Sequence, residues 1–145
     1  VAVSASTAIR EWINARPGLT GKGNPLPLGA HLDGEAVRSP AHGAYALLIR
    51  DPGVNQSAIA EDYGVSLARI TAHVKAGTIQ AAEAACVALS NAFQSLTGCP
   101  EPCGTTGVMV LVADNFAEPG YVPVPGTGGE QFEFTCGAVF MLAPR

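Results

Sequence analysis

Between Gly77 and Gly98 the apolar residues Ile79, Ala82, Cys86, Leu89, Phe93 and Leu96 recur every three or four positions, the spacing that gathers side chains into one stripe of an α-helix. The spacing predicts a helix from about Thr78 to Leu96, roughly 28 Å long at about 1.5 Å per residue. Gly98 stands where a left-handed cap belongs, and Pro100 prevents continuation. A helix of that length with one apolar stripe covers one face of a small sheet. The stripe reads as core packing, not as a cofactor site, and the rest of the chain has to supply the sheet.

The strands are legible in the same way. Ala44 to Arg50 is apolar on both alternating faces and runs into Asp51-Pro52-Gly53, an interior strand closed by a turn. From Leu67 onward Ala68, Ile70, Ala72 and Val74 alternate with Arg69, Thr71, His73 and Lys75, a strand with one wet face. Val108 to Ala113 is an apolar run too short for a typical helix and rich in β-branched residues, a second buried strand ended by Asp114-Asn115. A Pro/Gly-rich loop then leads to Gln131 to Leu142, where Phe132, Phe134, Cys136, Ala138, Phe140 and Leu142 alternate along a long strand.

At the start, Ala5, Ile9, Trp12 and Ile13 keep helical spacing, with Ser4 or Ser6 as N-cap and Pro17 disfavouring helix at Arg16. The run Gly23-Asn24-Pro25-Leu26-Pro27-Leu28-Gly29 is expected to be extended, because each proline pushes its predecessor out of the helical region; Leu26 and Leu28 would anchor it. Together these elements predict an α+β fold, a mostly antiparallel or mixed sheet of about four or more strands with helices packed on one face. Strand order is not set by the pattern.

The chain has 145 residues, 48% hydrophobic and 14% charged, and no compositional shift divides it, so 1–145 reads as one domain. The sparse charge leaves apolar surface for partners. A net charge of −4 argues against DNA as a tightly held ligand, which needs a basic face to displace counterions. No apolar run reaches the roughly 18 to 20 residues that cross a bilayer. The first residues lack the basic region and apolar core of a signal peptide, so a cytosolic, membrane-free protein is expected.

Signatures of catalysis are missing. Arg16 stands where a phosphate loop needs Gly, and Gly23 follows Lys22 in place of Ser or Thr. Gly126-Thr127-Gly128-Gly129 does not sit between a strand and a helix. There is no Gly-x-Ser-x-Gly elbow and no pair of histidines at i, i+4. Glu61 and Asp62 are adjacent and so point in different directions. No catalytic, cofactor-binding or metal-binding residues are assigned, and the chain is read as a non-enzyme. Cys86 and Cys136 fall within an apolar stripe and an alternating strand, as small buried hydrophobes do. Cys99 and Cys103 make one close pair; zinc ribbons and fingers use two, or add closely spaced histidines, and His31, His42 and His73 lie far apart. In a reducing cytosol these two are free thiols, and if oxidised they could bridge a loop. A small metal-binding or redox module built on them stays open.

Arg69, His73 and Lys75 share one strand face. Alone this is a solvated sheet face; repeated around a ring, it would line a lumen with a weakly positive collar for passing DNA.

Four stretches carry a resemblance: Ile9-Arg10-Glu11-Trp12-Ile13-Asn14; Gly23-Asn24-Pro25-Leu26-Pro27-Leu28-Gly29-Ala30-His31-Leu32; and the pair Leu96-Thr97-Gly98-Cys99-Pro100-Glu101-Pro102-Cys103-Gly104 with Val110-Leu111-Val112-Ala113-Asp114-Asn115. Together they resemble the tail terminators of long-tailed, siphovirus-type bacteriophages, particularly those of actinobacteria, over nearly the whole chain. The resemblance implies a structural virion protein assembled in the host cytoplasm. It would form a hexameric ring on the head-proximal end of the tail tube, stop the tube's polymerisation and join the tail to the head connector or head-closure protein. Double-stranded DNA would pass through the lumen without sequence-specific binding. No segment is a chemical signature, so a head-closure or other neck protein is the main alternative. The physics agrees with assembly: a domain of this length has a radius of gyration of about 15 Å, too small to encircle a duplex alone. Head-to-tail contacts close into a ring only if the rotation per subunit is right. Pro25, Leu26, Pro27 and Leu28, and Tyr121, Val122 and Pro123 in the loop running to Pro125, are the expected ring or tube contacts, since proline lowers the cost of ordering an extended arm. Simple loop packing is the other reading of both segments.

Overall fold

In the computed structural model, which describes residues 4–32, 34–35, 43–51, 66–96, 100–123 and 131–144, Ser4 begins the first helix. Its hydroxyl accepts the Thr7 backbone N–H at 3.2 Å, satisfying one of the unpaired donors of the first turn. Helix α1 (Ala5–Asn14) buries Ala5, Ala8, Ile9, Trp12 and Ile13, the stripe its spacing predicts. It is followed by β1 (Ala30–Leu32), β2 (Tyr45–Arg50), β3 (Ser66–Ala76), α2 (Ile79–Gln94), β4 (Glu101–Pro102), β5 (Val108–Val122) and β6 (Phe132–Pro144).

Helix α2 is capped by Thr78, whose hydroxyl accepts the Ala81 N–H at 3.2 Å, and it stops at Ser95. It buries Ala82, Ala85, Cys86, Leu89, Ser90 and Phe93, with Leu96 buried just beyond it. Ile79, the first residue of the expected stripe, is instead 38% exposed. A helical side chain leans over the turn before its own Cα, and the first helical residue has no such turn to lean on. Gly98, the expected cap, lies outside the described residues.

The sheet runs β1-β2-β3-β6-β5-β4. Only the β1/β2 pair is parallel; the other four are antiparallel. The fold is therefore α+β with a mixed, curled sheet. Alternation buries Ala68, Ile70, Ala72 and Val74 of β3, and Cys136, Ala138, Phe140 and Leu142 of β6, on the face that carries α1 and α2. The layers meet at aromatic rings: Trp12 stacks on Phe93 with centroids 6.2 Å apart, and Phe93 meets Phe140 edge-on at 5.0 Å.

Two expectations are corrected. Asp114-Asn115 does not end β5, which pairs with β6 as far as Val122. The register shifts between Val110 and Val112, between Asp114 and Ala117, and between Ala117 and Gly120; Asn115 takes φ +49°, a conformation asparagine tolerates. The polar pair thus marks a bulge, which bends a strand and leaves it paired on either side. Nor is Gly23 to Gly29 an extended arm. It is a pair of tight turns, closed by Asn24 N–H to Gly21 C=O and Gly29 N–H to Leu26 C=O, and Leu26 N–H bonds back to Leu19 C=O. Complete burial of the Leu26 side chain folds the segment inward.

At the middle of the sheet, Gly137 opposes Thr71. A Cβ there would stand 2.6 Å from the Ile70 carbonyl oxygen. The bare backbone lets β6 and β3 approach where the sheet curls.

Candidate functional site

The sheet face turned away from the helices has no helix over it among the described residues. On β3 it carries Arg69, Thr71, His73 and Lys75, all half-buried. Antiparallel register sets His73 across from Thr135, Lys75 across from Glu133, and Arg69 across from Val139. On the other flank, Tyr45, Leu47 and Ile49 of β2 oppose Lys75, His73 and Thr71. The sequence thus put Arg69, His73 and Lys75 correctly on one face. It did not show what neutralises them.

Glu133 does. Its carboxylate accepts the His73 Nδ1–H at 3.3 Å on one oxygen and lies 3.6 Å from the Lys75 ammonium on the other. Glu133 is itself buried, so these partners compensate a carboxylate that would otherwise be costly to desolvate. Tyr45 stands beside the cluster, and burial first, then the Glu133 charge, pushes its phenol above the usual range. Farther along the face, exposed Asp114 pairs with Val139, which in turn opposes Arg69. Among the described residues, Arg69 and Lys75 therefore share the face with the carboxylates Glu133 and Asp114. The signal for Glu133 was in the sequence: it is the one charge in the alternating run of β6, on the parity opposite Phe134 and Cys136.

The residues expected to make ring or tube contacts separate. Leu26 belongs to the chain's own core, while Pro25 is exposed and Pro27 and Leu28 are half-buried. Leu28 is also tied inward, its N–H bonding the Ala44 carbonyl and its carbonyl accepting the His31 Nε2–H at 2.7 Å. Tyr121 and Val122 lie in β5 and not in a loop. Tyr121 is 48% exposed on the helix side, its ring 5.5 Å from that of Phe134; Val122 opposes Glu133 on the other face. Pro123 is exposed directly after the strand.

On the helix side a groove of about 510 Å³ runs between α2 and the far end of β5 and β6, lined by Val87, Asn91, Gln94, Pro119, Phe134, Ser90 and the carboxylates Glu83 and Glu118. The groove has no local signature in the sequence, because the bulged half of β5 has the composition of a loop.

Cys86, Cys103 and Cys136 are buried and free. A hydrogen bond with Cys86, then burial, pushes the Cys136 thiol far up; burial pushes Cys103 up to about 11. Cys99, Glu61, Asp62 and Gly126 to Gly129 lie outside the described residues. No group of three or more His, Cys, Asp or Glu that could hold a metal occurs among the described residues, and none of their helices is long and apolar enough to cross a membrane. Comparison with protein families, with curated proteins and with solved structures finds no match.

Proposed function

We propose that this chain is a structural subunit that works in a closed ring, as a bacteriophage tail terminator does, at the head-proximal end of a tail tube within a virion. One observation carries the reading: among the described residues helices cover the sheet on one face only, while its other face holds half-buried apolar side chains among charges of both signs. Such a surface suits protein contact better than water or a polyanion. The partners are further copies of the chain, the tail tube protein and the head connector or head-closure protein, with duplex DNA passing through the hole without base-specific contact. The role is geometric, and the resemblance of the segments around Trp12, Pro25 and Cys103 supports it.

The test is electron microscopy and light scattering of the purified full chain, alone and with polymerising tail tubes. The expected result is closed rings that cap tube ends and limit tube length. Attachment to portal-bearing heads instead would move the protein to the head-closure side of the neck. A chain that stays monomeric with both partners would overturn the reading.

A further inference from the structure

Helix α2 carries a single charged residue, Glu83, in its sixteen positions. Its outer surface exposes Gln80, Ala84 and Val87, the last 41% exposed. A helix face that meets only water usually carries charges; this one is as sparsely charged as a buried face. Beside it lies the groove that ends at Phe134 and is flanked by Glu83 and Glu118. Neither carboxylate joins an ion pair among the described residues.

The opposite side of the molecule has the complementary make-up. Ile49 is 37% exposed on the uncovered sheet face, and Leu47, Val139 and Met141 are half-buried on the same face. Lys75 is committed to Glu133. Arg69 joins no ion pair among the described residues.

We infer that the partner of each surface is a second copy of this chain: the α2 face of one copy packs on the uncovered sheet face of the next, with Glu83 and Glu118 meeting Arg69. The inference rests on the ring reading above and specifies its contact. Charge favours this arrangement over α2 meeting α2, which would bring together Glu83 and Glu118 of both copies; the sheet face supplies a cation in Arg69. The contact joins two different patches, so it is heterologous and repeats until it closes, as a ring requires. It also lays a second layer on the face that no helix covers among the described residues.

The test uses the full chain with Glu83→Arg, Arg69→Glu and the double variant, read by sedimentation and electron microscopy, with thermal melts to confirm folding. Each single variant is expected to weaken self-association about tenfold or more, and the double variant to recover most of the loss, because the pair is restored with its signs exchanged. Rings formed equally well by wild type and both single variants would overturn this contact and leave the ring reading intact. A double variant as weak as the sum of the singles would also overturn it. A wild-type chain that never assembles would overturn contact and ring together.

Discussion

Glu101 accepts the indole Nε1–H of Trp12 at 2.7 Å, and the same carboxylate oxygen holds the Arg16 guanidinium at 2.8 Å. Arg16 in turn lies 4.6 Å above the Trp12 ring. Two residues of β4 thus gain a hold on the first helix that their own short pairing with β5 could not supply.

Replacing Glu101 by Ala is expected to cost about 1–3 kcal/mol, because the Trp12 N–H, on a side chain only 2% exposed, loses its acceptor. Glu101→Gln keeps an acceptor and loses chiefly the half-exposed ion pair, worth at most about 1 kcal/mol. Urea denaturation separates them. Equal losses would mean that the indole bond does not hold β4 to α1.

Gly137→Ala is expected to destabilise by about 1–3 kcal/mol, since the added methyl meets backbone that cannot swing aside. Gly120→Ala is the control: its Cβ would come no nearer than 4.0 Å to its closest heavy atom, and a change within about 0.5 kcal/mol is expected. Thermal melts of the pair decide whether close strand approach, or merely flexibility, explains Gly137.

Leu26→Ala is expected to cost about 2–5 kcal/mol, as removal of a fully buried leucine does. Pro25→Ala alters an exposed position and is expected to stay within about 0.5 kcal/mol. The same two variants in an assembly assay report whether this turn also touches a neighbour, because only Pro25→Ala leaves the fold unstrained.

Alkaline pH is expected to weaken the fold from about pH 9 upward. The Cys103 thiol keeps its proton to about 11 in the folded chain against 9.0 ordinarily. Between those values the unfolded chain has lost a proton that the native one retains, so stability is complete below 9 and falls as pH rises, by at most about 1.4 kcal/mol per unit for one thiol. Cys136 and Tyr45 are shifted in the same direction and steepen the decline. Urea midpoints measured across pH 8 to 11 test the slope, and Cys103→Ser should make it shallower.

Periodicity exposed both helices, β2, β3 and β6, because burial repeats with the period of the backbone and can be read one residue at a time. Three features escaped it. β1 and β4 are too short to show alternation. The outer half of β5 hides behind Asp114, Asn115 and Pro119, residues that usually end a strand and here serve its bulges. Leu26 reads as the anchor of an extended segment, and nothing local says that the segment instead closes into tight turns around a leucine buried in the core. The cation face was legible from strand parity. Glu133, its counter-charge, required knowing that β6 pairs with β3, a contact between positions 75 and 133 that no local pattern encodes.

That same pairing has a kinetic consequence. β6 follows every other described strand in the chain, yet it sits between β3 and β5 and joins the two halves of the sheet. The β1-β2-β3 piece and the β4-β5 piece can each form early from nearby residues, but neither completes the shared core until β6 inserts between them. Closure over so long an intervening stretch is slow. During synthesis α2 would therefore wait with its apolar stripe half covered, and the half-made chain is the stage at which aggregation competes with folding.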